Sequence, residues 1–121
     1  MIRMNYKICF VCTGNACRSP FAECVTKKLL ADARMNGIEV FSLGTLDWGK
    51  NPRDVAMVDV ARELGYELSG TTTVMTRERL MMADTVIVFD ERHRDAITRV
   101  LDYSHWNRIV LFNKIAWDAR R

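Results

Sequence analysis

Seven residues constrain this chain more than any other stretch: Cys12-Thr13-Gly14-Asn15-Ala16-Cys17-Arg18, set between a short apolar run and a Ser-Pro pair. The run before them, Lys7 to Val11 (KICFV), is rich in β-branched and aromatic residues and suits a buried parallel strand. After them, Ser19-Pro20 offers a helix N-cap followed by proline at the first helical position, with Glu23 close behind. Strand, tight loop and helix in that order commit the opening of the chain to a β-loop-α unit. The loop of such a unit sits beyond the carboxyl end of its strand, where open parallel sheets bind ligands.

The rest of the sequence repeats the alternation. Ile38 to Leu43 (IEVFSL) roughly alternates apolar and polar residues as a second strand, after a first helix that ends near Gly37. Val55, Val58, Ala61 and Leu64 recur at helical spacing, which predicts a helix over about Arg53 to Leu64 with Gly65 ending it. Thr76 ahead of Glu78, Arg79, Leu80 and Met81 marks a short third helix. Thr85 to Phe89 (TVIVF) reads as a strand, Glu91 to Leu101 as a helix and Arg108 to Phe112 as a last strand. Strands alternating with helices imply right-handed crossovers and a three-layer α/β sandwich around a four-stranded parallel sheet. At 121 residues, with no internal repeat or linker, residues 1–121 are expected to form a single domain.

Several function classes drop out on composition. The formal charge is +3, and from Arg92 onward seven Lys/Arg stand against three Asp/Glu, but no block of basic residues marks a nucleic-acid surface. No stretch reaches the roughly 20 apolar residues of a membrane span, and MIRMNYK leads straight into a strand pattern rather than a signal peptide, so a cytoplasmic protein is expected. All four cysteines (Cys9, Cys12, Cys17 and Cys24) fall in the first 24 residues, a poor distribution for stapling a fold. Cys9 and Cys12 have C-x-x-C spacing but no second pair, so neither a metal nor a cofactor is expected. His93 and His105 sit in no motif and are expected at the surface.

The chemistry is expected in the loop. A thiol at the strand end, five intervening residues and an arginine at the helix start let several backbone N–H groups of Thr13, Gly14, Asn15, Ala16 and Cys17 converge on one point, which suits a phosphate dianion. The helix N-terminus favours negative charge there, and the Arg18 guanidinium engages two equatorial oxygens as a fork. The same field favours the thiolate of Cys12. Cys12 is then placed to attack phosphorus in line and form a phosphocysteine, with Ser19 holding the sulfur and assisting its departure. The competing reading is a buried cysteine in a glycine-containing turn beside a surface arginine.

Val11 to Glu23 matches V-C-x-G-N-x-C-R-S-P-x-A-E, and on that string the chain resembles the low-molecular-weight protein tyrosine phosphatase family. Resemblance continues through Ser42-Leu43-Gly44-Thr45, Trp48 with Asn51-Pro52, and Ala83-Asp84 leading to Asp90-Glu91. It implies a phosphotyrosine phosphatase I-like fold, Cys12 as nucleophile, Arg18 as phosphate ligand, and hydrogen bonds from Asn15, Ser19 and Ser42 that keep the loop in shape. Trp48 resembles the aromatic wall of the family's cleft, against which a phosphotyrosine ring packs; the alternative is a tryptophan covering the sheet edge. Cys17 resembles the family's redox partner of the nucleophile, or is only a small loop residue. The implied partner is a phosphorylated protein or a small phosphate ester.

The resemblance also breaks. Family members usually run longer, with an Asp-Pro general acid in a loop after the last strand and then a C-terminal helix covering the sheet; neither is visible here. Asp118 is the only carboxylate after that strand, and it is either the acid or a solvated tail residue. Without a positioned acid, activity is expected to be low, since general acid catalysis contributes about 10²- to 10⁴-fold. Gly70 stands where many relatives place a histidine in the loop-supporting network. A short or truncated end leaves apolar residues near Trp106, Phe112, Ile115 and Trp117 open to self-association. Two other functions stay on the table. One is a non-catalytic phosphate or phosphoprotein binder. The other is an arsenate reductase using an external thiol, since no cysteine follows Cys24. Protein-arginine phosphatases resemble this loop with Thr in place of Ala16, so leaving-group preference stays open.

Overall fold

The computed structural model describes residues 5–119. Four strands, β1 (Tyr6–Cys12), β2 (Ile38–Gly44), β3 (Thr85–Val88) and β4 (Ile109–Leu111), form one sheet in the order β2-β1-β3-β4. Every pairing is parallel: Cys12 lies opposite Gly44, Val11 opposite Val88, and Val86 opposite Ile109. The four-stranded parallel α/β architecture read from the sequence is the one observed. β1 is an interior strand, so its last four residues are buried on both faces, which is why KICFV shows no polar alternation.

Among the described residues the connections hold α1 (Arg18–Asp32), α2 (Val55–Glu63), α3 (Arg77–Met81), α4 (Glu91–Thr98) and a 3-10 turn over Tyr103–Arg108, and α5 (Phe112–Ala119) follows β4. Because successive side chains of a strand point to opposite faces, Cys9 and Val11 join the cluster of Leu80, Val86, Val88, Ile97 and Leu101 beside α3 and α4. Phe10 faces the other way, toward Phe21, Ala22 and Val25 of α1. Asp54, Thr76 and Asp90 cap α2, α3 and α4, accepting from the backbone N–H of Met57, Arg79 and Arg92 respectively. Past α2 the chain turns through Gly65 at φ 87°, the left-handed residue expected there.

Two expectations are corrected. The first helix is not capped by Ser19: it starts at Arg18, Cys17 occupies the cap without a side-chain bond, and Pro20 falls within the first turn, where its missing N–H costs no helix bond. The Ser19 hydroxyl is drawn into the loop instead. A helix also follows the last strand, where none was visible in the sequence: α5 runs directly off β4. Its first residue, Phe112, packs at a tilt of 38° against the sheet-end Phe89, with ring centroids 5.4 Å apart. Beyond that contact Ile115 and Trp117 stay exposed, as does Trp106, so this end of the molecule is as apolar on its surface as expected. Among the described residues no helix is long and apolar enough to cross a membrane.

Candidate active site

From β1 the chain crosses to β2 on one side and later to β3 on the other, so the carboxyl ends of β1 and β3 flank a topological switch point. Cys12 ends β1, and Phe89 and Asp90 follow β3. The loop 13–17 closes over that crevice, and a cleft of about 330 Å³ opens between it and the side chains of Leu46 and Trp48. Cys12 lies at its floor, 3% exposed.

The loop is held by its carbonyls. Those of Cys12, Thr13, Gly14, Asn15 and Ala16 accept, in order, from Thr45 N–H, Leu46 N–H, the Trp48 indole, the Arg53 guanidinium and Asp54 N–H. In a trans peptide the C=O and the following N–H point in opposite directions. Holding five carbonyls from outside therefore turns the N–H groups of residues 13–17 toward the interior of the loop. That arrangement suits an oxyanion.

Side chains lock the same shape. Asn15 is fully buried and left-handed, at φ 53°. Its Oδ1 accepts from Arg53 Nη1 (2.8 Å) and Thr73 N–H (2.9 Å), and its Nδ2 donates to Ser19 Oγ (2.9 Å) and Ser42 Oγ (2.8 Å). The amide is saturated, and this fixes the direction of every further bond. Ser42, having accepted from Asn15, donates to Glu23 Oε1 at 2.6 Å. Ser19, having also accepted, has Cys12 Sγ at 2.9 Å as the nearer acceptor for its proton and the Leu43 carbonyl at 3.5 Å as the farther one, and its backbone N–H points at the same sulfur from 3.4 Å. Hydroxyl and amide of one residue thus converge on the sulfur.

Arg18 stands at the rim. Its guanidinium lies 3.7 Å from Asp90, 3.5 Å from His93 Nε2 and 5.7 Å above the Phe89 ring. Hydrogen bonds from Arg92 hold the Asp90 carboxyl down at about 2, so it is an anion throughout the working range, both capping α4 and anchoring Arg18.

His93 is corrected from a surface residue to a buried one, 1% exposed. Its position four residues before the buried Ile97 on one face of α4 was the available signal. Nε2 faces Thr13 Oγ1 at 3.1 Å as well as Arg18. Since Arg18 offers only donors, Nε2 accepts and the proton sits on Nδ1, which lies 3.8 Å from Asp90 without a hydrogen-bond partner among the described residues. Burial lowers the His93 pKa from its usual value; Asp90 opposes this, while Arg18 and Arg92 add to it. The native state therefore binds less proton than the unfolded chain in weak acid. Stability is full above about pH 6.5 and lost as pH falls through the lowered native value, by up to about 1.4 kcal/mol per pH unit. The Tm of the wild type should fall between pH 7.5 and 5.5 more steeply than that of His93→Gln. Equal slopes would remove His93 from the acid response.

Of the other residues singled out in the sequence, Trp48 is half-exposed, lines the cleft and is pinned by its bond to the Gly14 carbonyl. Ala16 and Cys17 also line it, and burial pushes the Cys17 thiol up, aided by Asp54 and Cys12 and opposed by Arg18. Cys9 lies in the core, where burial likewise pushes its thiol up, so the C-x-x-C spacing makes no pair. Asp118 is not brought to the site: it lies on α5, half-exposed and 3.6 Å from Lys114 one turn away. Glu23 was visible as the end of the Val11–Glu23 signature; Arg53 had no local signal at all.

A cysteine-floored anion loop at the switch point of a parallel α/β sheet defines a class, the phosphate-loop proteins with a Cys-x5-Arg motif. Within it, the family model described as low molecular weight phosphotyrosine protein phosphatase matches residues 7–120, and the chain belongs to that family. It is 36% identical over 102 residues to a low molecular weight protein-tyrosine-phosphatase of Streptomyces coelicolor, covering 80% of this chain and 60% of that protein. A protein-arginine-phosphatase of Geobacillus stearothermophilus is 34% identical over 94 residues, covering 78% and 61%. The crystal structure of a low molecular weight phosphotyrosine phosphatase from Vibrio cholerae superposes with a TM-score of 0.83 at 28% identity, covering 89% of this chain and 71% of that one. The chain thus spans about 60% of the length of these curated relatives.

Proposed function

We propose that the chain hydrolyses phosphomonoesters, with protein phosphotyrosine as substrate, through a phosphocysteine. The observation behind this reading is the Cys12 sulfur at the floor of the loop, aligned by two donors from Ser19 beneath inward-facing amides. Cys12 attacks phosphorus in line, an S–P bond forms, the P–O ester bond breaks, and the leaving oxygen takes up a proton from water. Arg18 moves from the Asp90 rim to two equatorial oxygens, and the loop amides stabilise the remaining charge. Water then attacks the phosphocysteine, releasing phosphate and the thiolate, whose departure Ser19 assists. Trp48, held by the Gly14 carbonyl, offers one wall to an aryl leaving group.

Asp118 has no part as the acid in this scheme: it is not among the residues that line the cleft, and it pairs with Lys114 at 3.6 Å along α5. Asp118→Asn should leave kcat for an aryl phosphate within about twofold of wild type, against the 10²- to 10⁴-fold loss expected of a general acid. No carboxylate is among the described residues that line the cleft, which favours one second reading, a phosphate binder without turnover. Hydrolysis of p-nitrophenyl phosphate that vanadate inhibits supports the enzyme. Vanadate binding without any hydrolysis supports the binder, and thiol oxidation dependent on arsenate would support a reductase.

A further inference from the structure

We infer that Arg53 is a positioning residue of this site: its guanidinium grips Asn15 from behind, fixing the peptide that presents the Ala16 N–H, and sets a permanent positive charge beneath the loop. The inference rests on the reading of Cys12 as nucleophile and assigns a role to a residue outside the Cys-x5-Arg string.

The geometry is specific to a fork. Nη1 donates to both the backbone carbonyl and Oδ1 of Asn15, while Nε donates to the Ser69 carbonyl at 3.2 Å. A left-handed non-glycine residue costs on the order of 1 kcal/mol and persists only where its surroundings hold it. Here the clamp satisfies the two oxygens that this conformation turns outward. Gly70, left-handed at φ 88°, adjoins the guanidinium without deciding its space, since a Cβ there would lie 3.6 Å from Arg53 Nη2, an ordinary contact. The next residue, Asp54, holds the Ala16 carbonyl through its own N–H at 3.0 Å, so one segment, Arg53-Asp54, orients two successive peptides of the loop.

Charge follows the same line. Partial burial lowers the proton affinity of the guanidinium, but Glu23 and Cys12 both act the other way and favour the cation at residue 53. Arg53, Asn15, Ser19 and Cys12 make a continuous chain of bonds in which each donor is fixed by the one before it. A lysine would keep the charge but lose the fork.

Arg53→Met and Arg53→Lys test this in the full chain. A donor behind the loop should cost less than the 10²- to 10³-fold loss of a donor that touches the oxyanion, so kcat/KM for p-nitrophenyl phosphate should fall about thirtyfold in Arg53→Met and about tenfold in Arg53→Lys. Alkylation of Cys12 by iodoacetamide, followed by peptide mass, should need higher pH in Arg53→Met and stay near wild type in Arg53→Lys. Vanadate should bind more weakly to both variants. A folded Arg53→Met with kcat/KM within twofold of wild type and an unmoved alkylation profile overturns the role, as does a lower Tm with nothing else changed. Should Arg53→Met not fold, Arg53→Lys decides, and an unchanged kcat/KM overturns the fork. Alkylation and vanadate binding need no turnover, so an inert wild type overturns the phosphatase reading and leaves these two readouts to decide the positioning role.

Discussion

Cys12→Ser should lose at least about 10⁴-fold in the rate of p-nitrophenyl phosphate hydrolysis while still binding vanadate, a loss on the scale of removing a nucleophile from a hydrolase. The substitution exchanges atoms of similar size at a buried position, and the donors aimed at Sγ, the Ser19 hydroxyl and N–H, have an oxygen to meet instead. Neither donor can take a proton. A serine hydroxyl at the floor of this loop therefore has no base to activate it, and sulfur is the better nucleophile of the two. The fold should be nearly indifferent, with Tm moving by no more than a few degrees. Initial rates and vanadate calorimetry on both proteins make the comparison. Hydrolysis by Cys12→Ser within about tenfold of an active wild type would show that sulfur is not the attacking atom.

What was legible in the sequence was whatever short-range pattern determines. KICFV, TVIVF and the glycine-containing loop between Cys12 and Arg18 gave the interior strands and the anion loop, because a parallel strand buried on both faces is apolar throughout. Ser19 was misplaced for an instructive reason. Ser-Pro is a good local helix start, but the hydroxyl is worth more between Asn15 and Cys12, so tertiary bonds displaced the cap by two residues. The helix α5 went unseen because Phe112 was counted into the strand; read from Phe112 onward, Phe112, Ile115, Ala116 and Ala119 keep helical spacing. Arg53 was out of reach altogether. Its partners, Asn15 and Ser69, lie 38 and 16 residues away, and no periodicity in the sequence links positions joined only by a fork of hydrogen bonds.

Gly44→Ala should cut kcat/KM by about 10² and lower Tm by several degrees, although residue 44 touches no reacting atom. β2 ends at Gly44 directly beside the loop. A Cβ there would lie 2.9 Å from the Thr13 carbonyl oxygen, 3.0 Å from Asn15 Cβ and 3.1 Å from Asn15 N. None of these is the free end of a flexible side chain. Thr13 O is fixed by Leu46 N–H, and Asn15 by its four side-chain bonds. Gly44 cannot retreat either, since its N–H donates to Thr73 O at 2.8 Å and its carbonyl accepts from Met75 N–H at 2.7 Å. The strain must go into the loop, at roughly 1–3 kcal/mol for overpacking. Each kcal/mol is worth about 2–8 °C across domains of this size range. A displacement on the order of 1 Å in groups that converge on phosphorus accounts for the catalytic loss. Gly14→Ala is the internal control for stability, because its Cβ would meet only the Trp48 ring, at 3.7 Å or more, an ordinary contact. Its Tm should stay within about 2 °C of wild type on the same scale. If Gly44→Ala kept the Tm and kcat/KM of the parent, the seam between strand and loop would be soft. The shape of the anion loop would then rest on the side chains of Asn15 and Arg53 rather than on backbone packing.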